Sequence, residues 1–217
     1  MTDEANDTAL LFALCHEMGN LVGALRLQTH LLDHEMSPRD LVTARSEIDV
    51  LGARISALLA LVHPLQAPKL PDAADAIDPD DVVSVVEHGL EPLVLPGVTL
   101  DFTRDGGGHR MRVDRNALQA IVSSFAHLAV EQVRPSGCVR VAVEPAGEGV
   151  ALVVEDDGPI DHSLESWADE SLRGRTLLCA LTAHVLSHGE GELHVSTSKS
   201  GSRVEIRLPE AGSAAPC

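Results

Sequence analysis

Three polar residues close together in the sequence have the types and spacing that phosphoryl chemistry requires: His16, Glu17 and Asn20. An exposed imidazole has a pKa near 6.5, so at pH 7 a ring nitrogen is free to attack an acyl phosphate or a nucleotide phosphoryl group. A neighbouring carboxylate can hydrogen-bond the other ring nitrogen and accept its proton as the N–P bond forms. An amide one helical turn further on can orient a water for the reverse, hydrolytic reaction. The segment therefore predicts a histidine that carries phosphate.

The pattern around these residues predicts an amphipathic helix from Thr8 to about Asp33, because apolar residues recur there at spacings of three, four or seven. The apolar seam of this helix consists of Leu14, Met18, Leu21 and Leu25. His16 lies mostly on another side of the helix than this seam. We therefore expect the imidazole to face solvent.

A second helix follows after a short break. Ser37 and Pro38 have the residue types of an N-cap and a helix-starting proline, and apolar residues then alternate at spacings of three and four from Leu41 to Val62. The short connection makes the two helices an antiparallel hairpin. Since two helices cannot enclose a core alone, we expect two hairpins to pair into a four-helix bundle, which makes the protein a homodimer.

The segment 64–79 contains four prolines and indicates a linker, which divides a helical hairpin domain, residues 1–66, from a second domain, residues 76–210. The helices and strands predicted for the second domain alternate in the order of a two-layer α/β sandwich. Helices are predicted at 80–93, from Asp114 to about 133, and at 175–187; strands are predicted at 98–102, 111–113, 138–143, 150–155, 192–197 and 203–208.

The composition excludes several classes of partner. A formal charge of −17, from 33 acidic and 16 basic residues, repels nucleic acid phosphates and anionic lipids, and one Trp, three Phe and no Tyr leave little aromatic surface to stack on bases. No apolar run approaches the roughly 20 residues of a membrane span, and the acidic start lacks the basic region of a signal peptide. The cysteines and histidines show no metal-binding spacing. We therefore expect a cytoplasmic protein with protein partners, and without nucleic acid, membrane or metal binding.

The string His16-Glu17-x-x-Asn20, followed by Gly23-Ala24-Leu25, resembles the H-box of histidine kinase dimerisation domains. In that family the histidine is phosphorylated, the next acidic residue acts as base, and the residue four positions on assists phosphatase chemistry. The chain departs from the family at two positions. It has Leu21 in place of the usual proline and Gly19 where a basic residue is common.

The second domain resembles the ATP-binding module of histidine kinases, a Bergerat-type sandwich. Its second predicted helix, from Asp114 to about 133, has Ser124 and Leu128 where the family's N-box places asparagines that contact nucleotide and magnesium. Asp156 and Gly158 match the G1 box, whose second glycine is missing here, and Gly174 is what remains of a glycine-rich phosphate turn. We expect these three residues to be vestigial, no cofactor to be bound tightly, and ATP not to bind productively. In this interpretation the sandwich is a scaffold or docking surface, and Asp156 is a solvated turn residue.

The combination of an H-box hairpin with a degenerate ATPase-like sandwich resembles the ChpT-type histidine phosphotransferases. This resemblance implies a phosphorelay enzyme that moves phosphate between receiver-domain aspartates through the bundle histidine, with Mg²⁺ supplied by the receiver. Residues predicted to dock the receiver surround His16: Ala13, Asn20, Gly23, Ala24, Arg26 and Leu27. Two alternatives stay open: an ATP-dependent histidine kinase with an atypical nucleotide pocket, and a pseudokinase adaptor that carries no phosphate.

Overall fold

The computed structural model describes residues 2–32, 36–66, 76–91, 97–147, 149–159, 174–187 and 191–210. A helical hairpin is followed by a mixed α/β sandwich, as predicted. The helices are α1 (Thr2–Leu31), α2 (Pro38–Gln66), α3 (Pro79–Leu90), α4 (Arg115–Val133) and α5 (Gly174–Ser187). The strands are β1 (Val98–Thr103), β2 (Gly137–Ala146), β3 (Gly149–Asp156), β4 (Glu192–Ser198) and β5 (Gly201–Pro209).

Local capping residues begin three of the helices. Ser37 precedes α2 and its Oγ accepts a hydrogen bond from the Asp40 backbone N–H at 3.2 Å, as the sequence predicted. Asp78 caps α3, which begins at Pro79, and Asp114 caps α4 through the backbone N–H of Ala117 at 2.8 Å. These side chains satisfy N–H groups that have no partner within the helix, so each helix starts where its cap stands.

The two helices of the hairpin pack along the predicted seam. Leu14 and Leu21 of α1 are buried, and Ala44 and Leu58 are buried on α2. Across the hairpin, Gln28 donates a hydrogen bond to Glu47. The hairpin thus presents one apolar face inward and leaves the opposite face of α1 to solvent.

By length and hydropathy alone, residues Asp7–Leu31 of α1 would pass for a membrane-spanning helix. We expected no apolar segment as long as a membrane span, and this expectation was wrong. The Leu and Ala residues of the segment raise its mean hydropathy more than the few polar residues lower it. Leu10, Leu14 and Leu21 of this helix lie in the protein's own core. Only 17% of the apolar stretch is buried within the protein.

The sheet has the strand order β1-β2-β3-β5-β4. β1 and β2 are parallel and joined through α4, whereas the other neighbouring strands are antiparallel. The predicted strand at 111–113 was wrong. Met111 forms only isolated bridges, to Ile77 and to Glu210, because its neighbours turn away into the α4 cap.

One hydrophobic core joins the hairpin to the sandwich. Leu14 and Leu61 of the hairpin belong to the same buried cluster as Phe125 of α4 and Leu177 of α5. Leu61 is completely buried, so its truncation to alanine would cost about 2–5 kcal/mol. The predicted linker falls mostly at 67–75, outside the described residues, but the packing places α1 and α2 directly on α4 and α5.

The sheet face opposite the helices carries a ladder of charges over Ala142, Ala151 and Val153. Arg140 on β2 contacts Glu144 at 2.8 Å, and Arg203 on β5 contacts the same carboxylate at 2.7 Å. The hydrogen bond from Arg203 holds the pKa of Glu144 below its ordinary value, and Arg140 acts in the same direction. Paired charges therefore surround the small apolar residues of this face.

Candidate functional site

His16 lies on the exposed face of α1, as predicted. Phe12, one turn before it, is 76% exposed, and Gly19 and Gly23 follow it on the same face. A Cβ added to either glycine would meet no atom within 4 Å, so the helix surface beside the imidazole is low and open. A partner can approach the ring here without displacing a side chain.

The predicted docking residues divide into two groups. Gly23, Arg26 and Leu27 are exposed, and Leu27 is a large apolar side chain left in water. Ala13 and Ala24 are half-buried, and Ala13 packs against the core. The exposed group forms the surface that a partner could contact.

Phe12 was not among the predicted site residues, although its position in the sequence places it beside His16. It lies four residues before His16, which places it on the same helix face, and a phenylalanine outside the apolar seam has no core to join. Phe12 and Leu27 are apolar residues on either side of His16 along α1, so they extend the exposed surface in both directions.

Glu17 lies about 100° around the helix from His16 and points toward the sandwich. Its Oε1 lies 3.3 Å from Nη2 of Arg54 on α2, and its side chain is only 15% exposed. Asn20 is exposed on the His16 face. The structure thus gives the Glu17 carboxylate a partner in Arg54, and its predicted role as base at His16 stays a prediction.

Arg54 joins three helices. Besides Glu17 of α1, its guanidinium binds Glu131 of α4, with Nη1 3.1 Å from both carboxylate oxygens. Arg54 was not predicted as a site residue. Its partners are 37 and 77 residues away along the chain, and no local pattern in the sequence marks it.

The interpretation of Asp156 as a solvated turn residue was wrong. Its side chain is 3% exposed and its Oδ2 lies 2.6 Å from Nη2 of Arg175, in the first turn of α5. Arg175 also donates to Ser202 Oγ at 3.3 Å, and the Gly158 backbone N–H donates to Asp156 Oδ1 at 3.1 Å. Both carboxylate oxygens of Asp156 are therefore bound within the chain.

The sequence matches no protein-family model and none of the curated proteins. Solved structures do resemble the chain. The catalytic domain of histidine kinase ThkA matches with a TM-score of 0.54 and 14% identity over 62% of this chain and 94% of that one. Acinetobacter baumannii histidine kinase AdeS matches with a TM-score of 0.60 and 16% identity, over 90% of this chain and 98% of that one. A bacterial phosphotransferase matches with a TM-score of 0.53 and 13% identity, over 93% of this chain and 95% of that one. The chain has the histidine kinase fold.

Within this histidine kinase fold, the helix face expected to hold the N-box asparagines packs against the hairpin. Ser124 is buried, and its Oγ has no hydrogen-bond partner among the described residues. The cavity beside it has a volume of about 20 Å³, enough for one water and too small for a phosphate group. Its lining residues are Glu17, Arg54, Leu58, Ser124, Leu128, Gly174, Leu177 and Leu178.

Gly174 and Gly158, which were predicted to be vestigial, both stand where a side chain would be strained or crowded. Gly174 begins α5 with φ +51°, a backbone conformation that favours glycine. A Cβ on Gly158 would stand 2.8 Å from the Gln132 side chain. No group of three or more metal-ligating side chains occurs within the described ranges of the chain.

Proposed function

We propose that this chain is a histidine phosphotransferase of the ChpT type, which passes a phosphoryl group between receiver-domain aspartates through His16. The observation that carries the proposal is the contrast between an exposed His16 and an Asp156 whose two oxygens are bound by Arg175 and Gly158. An open nucleophile suits transfer from another protein. The pairing of Asp156 within the chain argues against ATP as the donor.

In the proposed reaction a nitrogen of the His16 ring attacks the phosphorus of a receiver's aspartyl phosphate in line with the leaving oxygen. The N–P bond forms as the P–O bond breaks, and the receiver's aspartate leaves as a carboxylate. The reverse step, with the aspartate of a second receiver as nucleophile, regenerates the imidazole. The receiver supplies Mg²⁺, and the chain contributes positioning.

Receiver docking is proposed on the exposed face of α1, over Gly19 and Gly23, between Phe12 and Leu27. Small residues allow close approach of a loop, and the two apolar side chains would be buried by the partner. Arg26, exposed on the same helix, adds a positive charge for an acidic partner. The chain's large negative charge disfavours nucleic acid and membrane partners, and we place the protein in the cytoplasm.

Homodimerisation is proposed along a second stripe of α2. Leu41 and Leu59 are 47% and 52% exposed, and Ile48 and Ile55 between them are only half-buried. These residues lie on one side of α2 and repeat at the spacing of a helix–helix seam. A partner hairpin seated there would bury them and complete a four-helix bundle, and light scattering on the purified protein would give the dimer mass.

The test is to incubate the purified protein with labelled phospho-receiver and, separately, with labelled ATP, for wild type, His16→Ala and His30→Ala. We expect label on the wild type and on His30→Ala from the receiver alone, and none on His16→Ala. His30 is a matched control because it is exposed on the same helix. Label from ATP would instead make the chain a kinase, and no label from any of several receivers would favour the adaptor.

A further inference from the structure

A single arginine links the helix that carries His16 to the sandwich. Arg54 of α2 lies between the carboxylates of Glu17 and Glu131, at 3.3 Å and 3.1 Å. The arginine and Glu17 side chains are 16% and 15% exposed, so water screens their interaction less than it screens a surface ion pair. The guanidinium fork binds both carboxylates at once, which a lysine ammonium does less well.

The surface of α4 around this bridge is polar and buried. Ser124 and His127 lie on the same helix face as Glu131, and both are buried. Burial lowers the pKa of the His127 imidazole, and the positive charge of Arg54 acts in the same direction, so His127 is neutral at pH 7. A neutral His127 brings no second positive charge to the two carboxylates, which leaves Arg54 as their shared counter-charge in the described contacts.

We propose that Arg54 is a positioning residue for phosphotransfer at His16, because it holds the Glu17 carboxylate in place and ties it, through Glu131, to the sandwich. The inference rests on the proposed function. Arg54 touches neither the phosphate nor the receiver. The bond from Arg54 uses Oε1 of Glu17, so the proposal assigns Oε2 as the oxygen that accepts the proton of the His16 ring.

Side-chain entropy is the physical reason why holding Glu17 in place would speed transfer. A glutamate on an exposed helix face samples several rotamers, and fixing one of them in the transition state costs free energy. The Arg54 bridge fixes Glu17 before the receiver arrives, so this cost is met during folding. The sandwich thereby serves the transfer reaction through Glu131.

The test compares the rate constant for transfer from labelled phospho-receiver to His16 in wild type, Arg54→Gln, Arg54→Lys and Glu131→Gln. We expect Arg54→Gln to slow transfer about tenfold, with the half-saturating receiver concentration unchanged, because positioning acts on the reaction step. Arg54→Lys should recover part of the rate, and Glu131→Gln should lose less than Arg54→Gln. Arg39→Gln is the matched control, since Arg39 is exposed on the same helix and lies outside the proposed dimer stripe, and it should leave the rate unchanged.

The decisive comparison is a double-mutant cycle with Glu17→Gln. If Arg54 acts through Glu17, adding Arg54→Gln to Glu17→Gln costs no further rate. Independent, multiplying losses in folded variants, checked by thermal unfolding, would assign Arg54 a purely structural role and overturn the inference. Equal rates in wild type and Arg54→Gln would overturn it while the phosphotransferase stands; no label on wild-type His16 would remove both.

Discussion

His16 on α1 and Asp156 at the end of β3 are polar residues in opposite environments. His16 stands exposed between Phe12 and two glycines, with open space on each side. Asp156 is buried and bound by Arg175 and by its own turn. An exposed group keeps its contact with water, whereas a buried charge needs a counter-charge from within the chain.

The exposed residue belongs to the hairpin and the buried, paired residue belongs to the sandwich. His16 is exposed, whereas Asp156, the residue that matches the G1 box, is paired with Arg175 of the same chain. The hairpin also covers the α4 face around Ser124. The hairpin and the sandwich thus share one core.

The largest effect is expected where the buried charge loses its partner. Arg175→Ala leaves the Asp156 carboxylate buried without its counter-charge and should lower the free energy of unfolding by about 3–5 kcal/mol. Urea denaturation measures this loss. The double variant Arg175→Met with Asp156→Asn is the control, and it should recover most of the stability because no unpaired charge remains. A stable Arg175→Ala would mean that the pair is not what holds this site closed.

A smaller effect on binding is expected on the open side of the comparison. Phe12→Ala should raise the receiver concentration for half-maximal transfer about tenfold, because truncation removes an apolar anchor beside His16. The unfolding free energy should change by no more than about 0.5 kcal/mol, since the side chain is already in water. Transfer kinetics at increasing receiver concentration measure the effect. Val85→Ala, an exposed apolar residue on α3, is the matched control, and equal effects of the two variants would remove Phe12 from the docking surface.

The smallest effect is expected from charges that are paired but only partly buried. The pKa of Glu144 is lowered in the folded protein, first by Arg203, so its pairing stabilises the fold above the ordinary carboxyl pKa and the stabilisation is lost as pH falls through the lowered value. Glu144→Gln should therefore cost about 0.5–1 kcal/mol at pH 7 and less near pH 3. Urea denaturation at both pH values tests this. Asp49→Asn, an exposed carboxylate, should show no such difference between the two pH values.

Local chemistry made much of the fold predictable. Ser37 and Asp114 begin their helices as expected, because a capping side chain acts on backbone groups within three residues of itself. The apolar repeat of α1 placed Leu14 inward and His16 outward, since helical periodicity assigns each residue to a face. The exposed position of the candidate nucleophile was therefore determined by the sequence alone.

Only the tertiary structure decided which polar groups are paired. Asp156 meets Arg175 from 19 residues away, and Arg54 meets Glu131 from 77 residues away, so neither pair leaves a periodic or local pattern in the sequence. Met111 was predicted in a strand, but it forms isolated bridges with Ile77 and Glu210. Both partners are distant in the sequence and meet Met111 only in the folded chain. The sequence determined the helix faces, which depend on neighbours three and four residues apart. Packing determined the ion pairs, which depend on where distant segments of the chain come together.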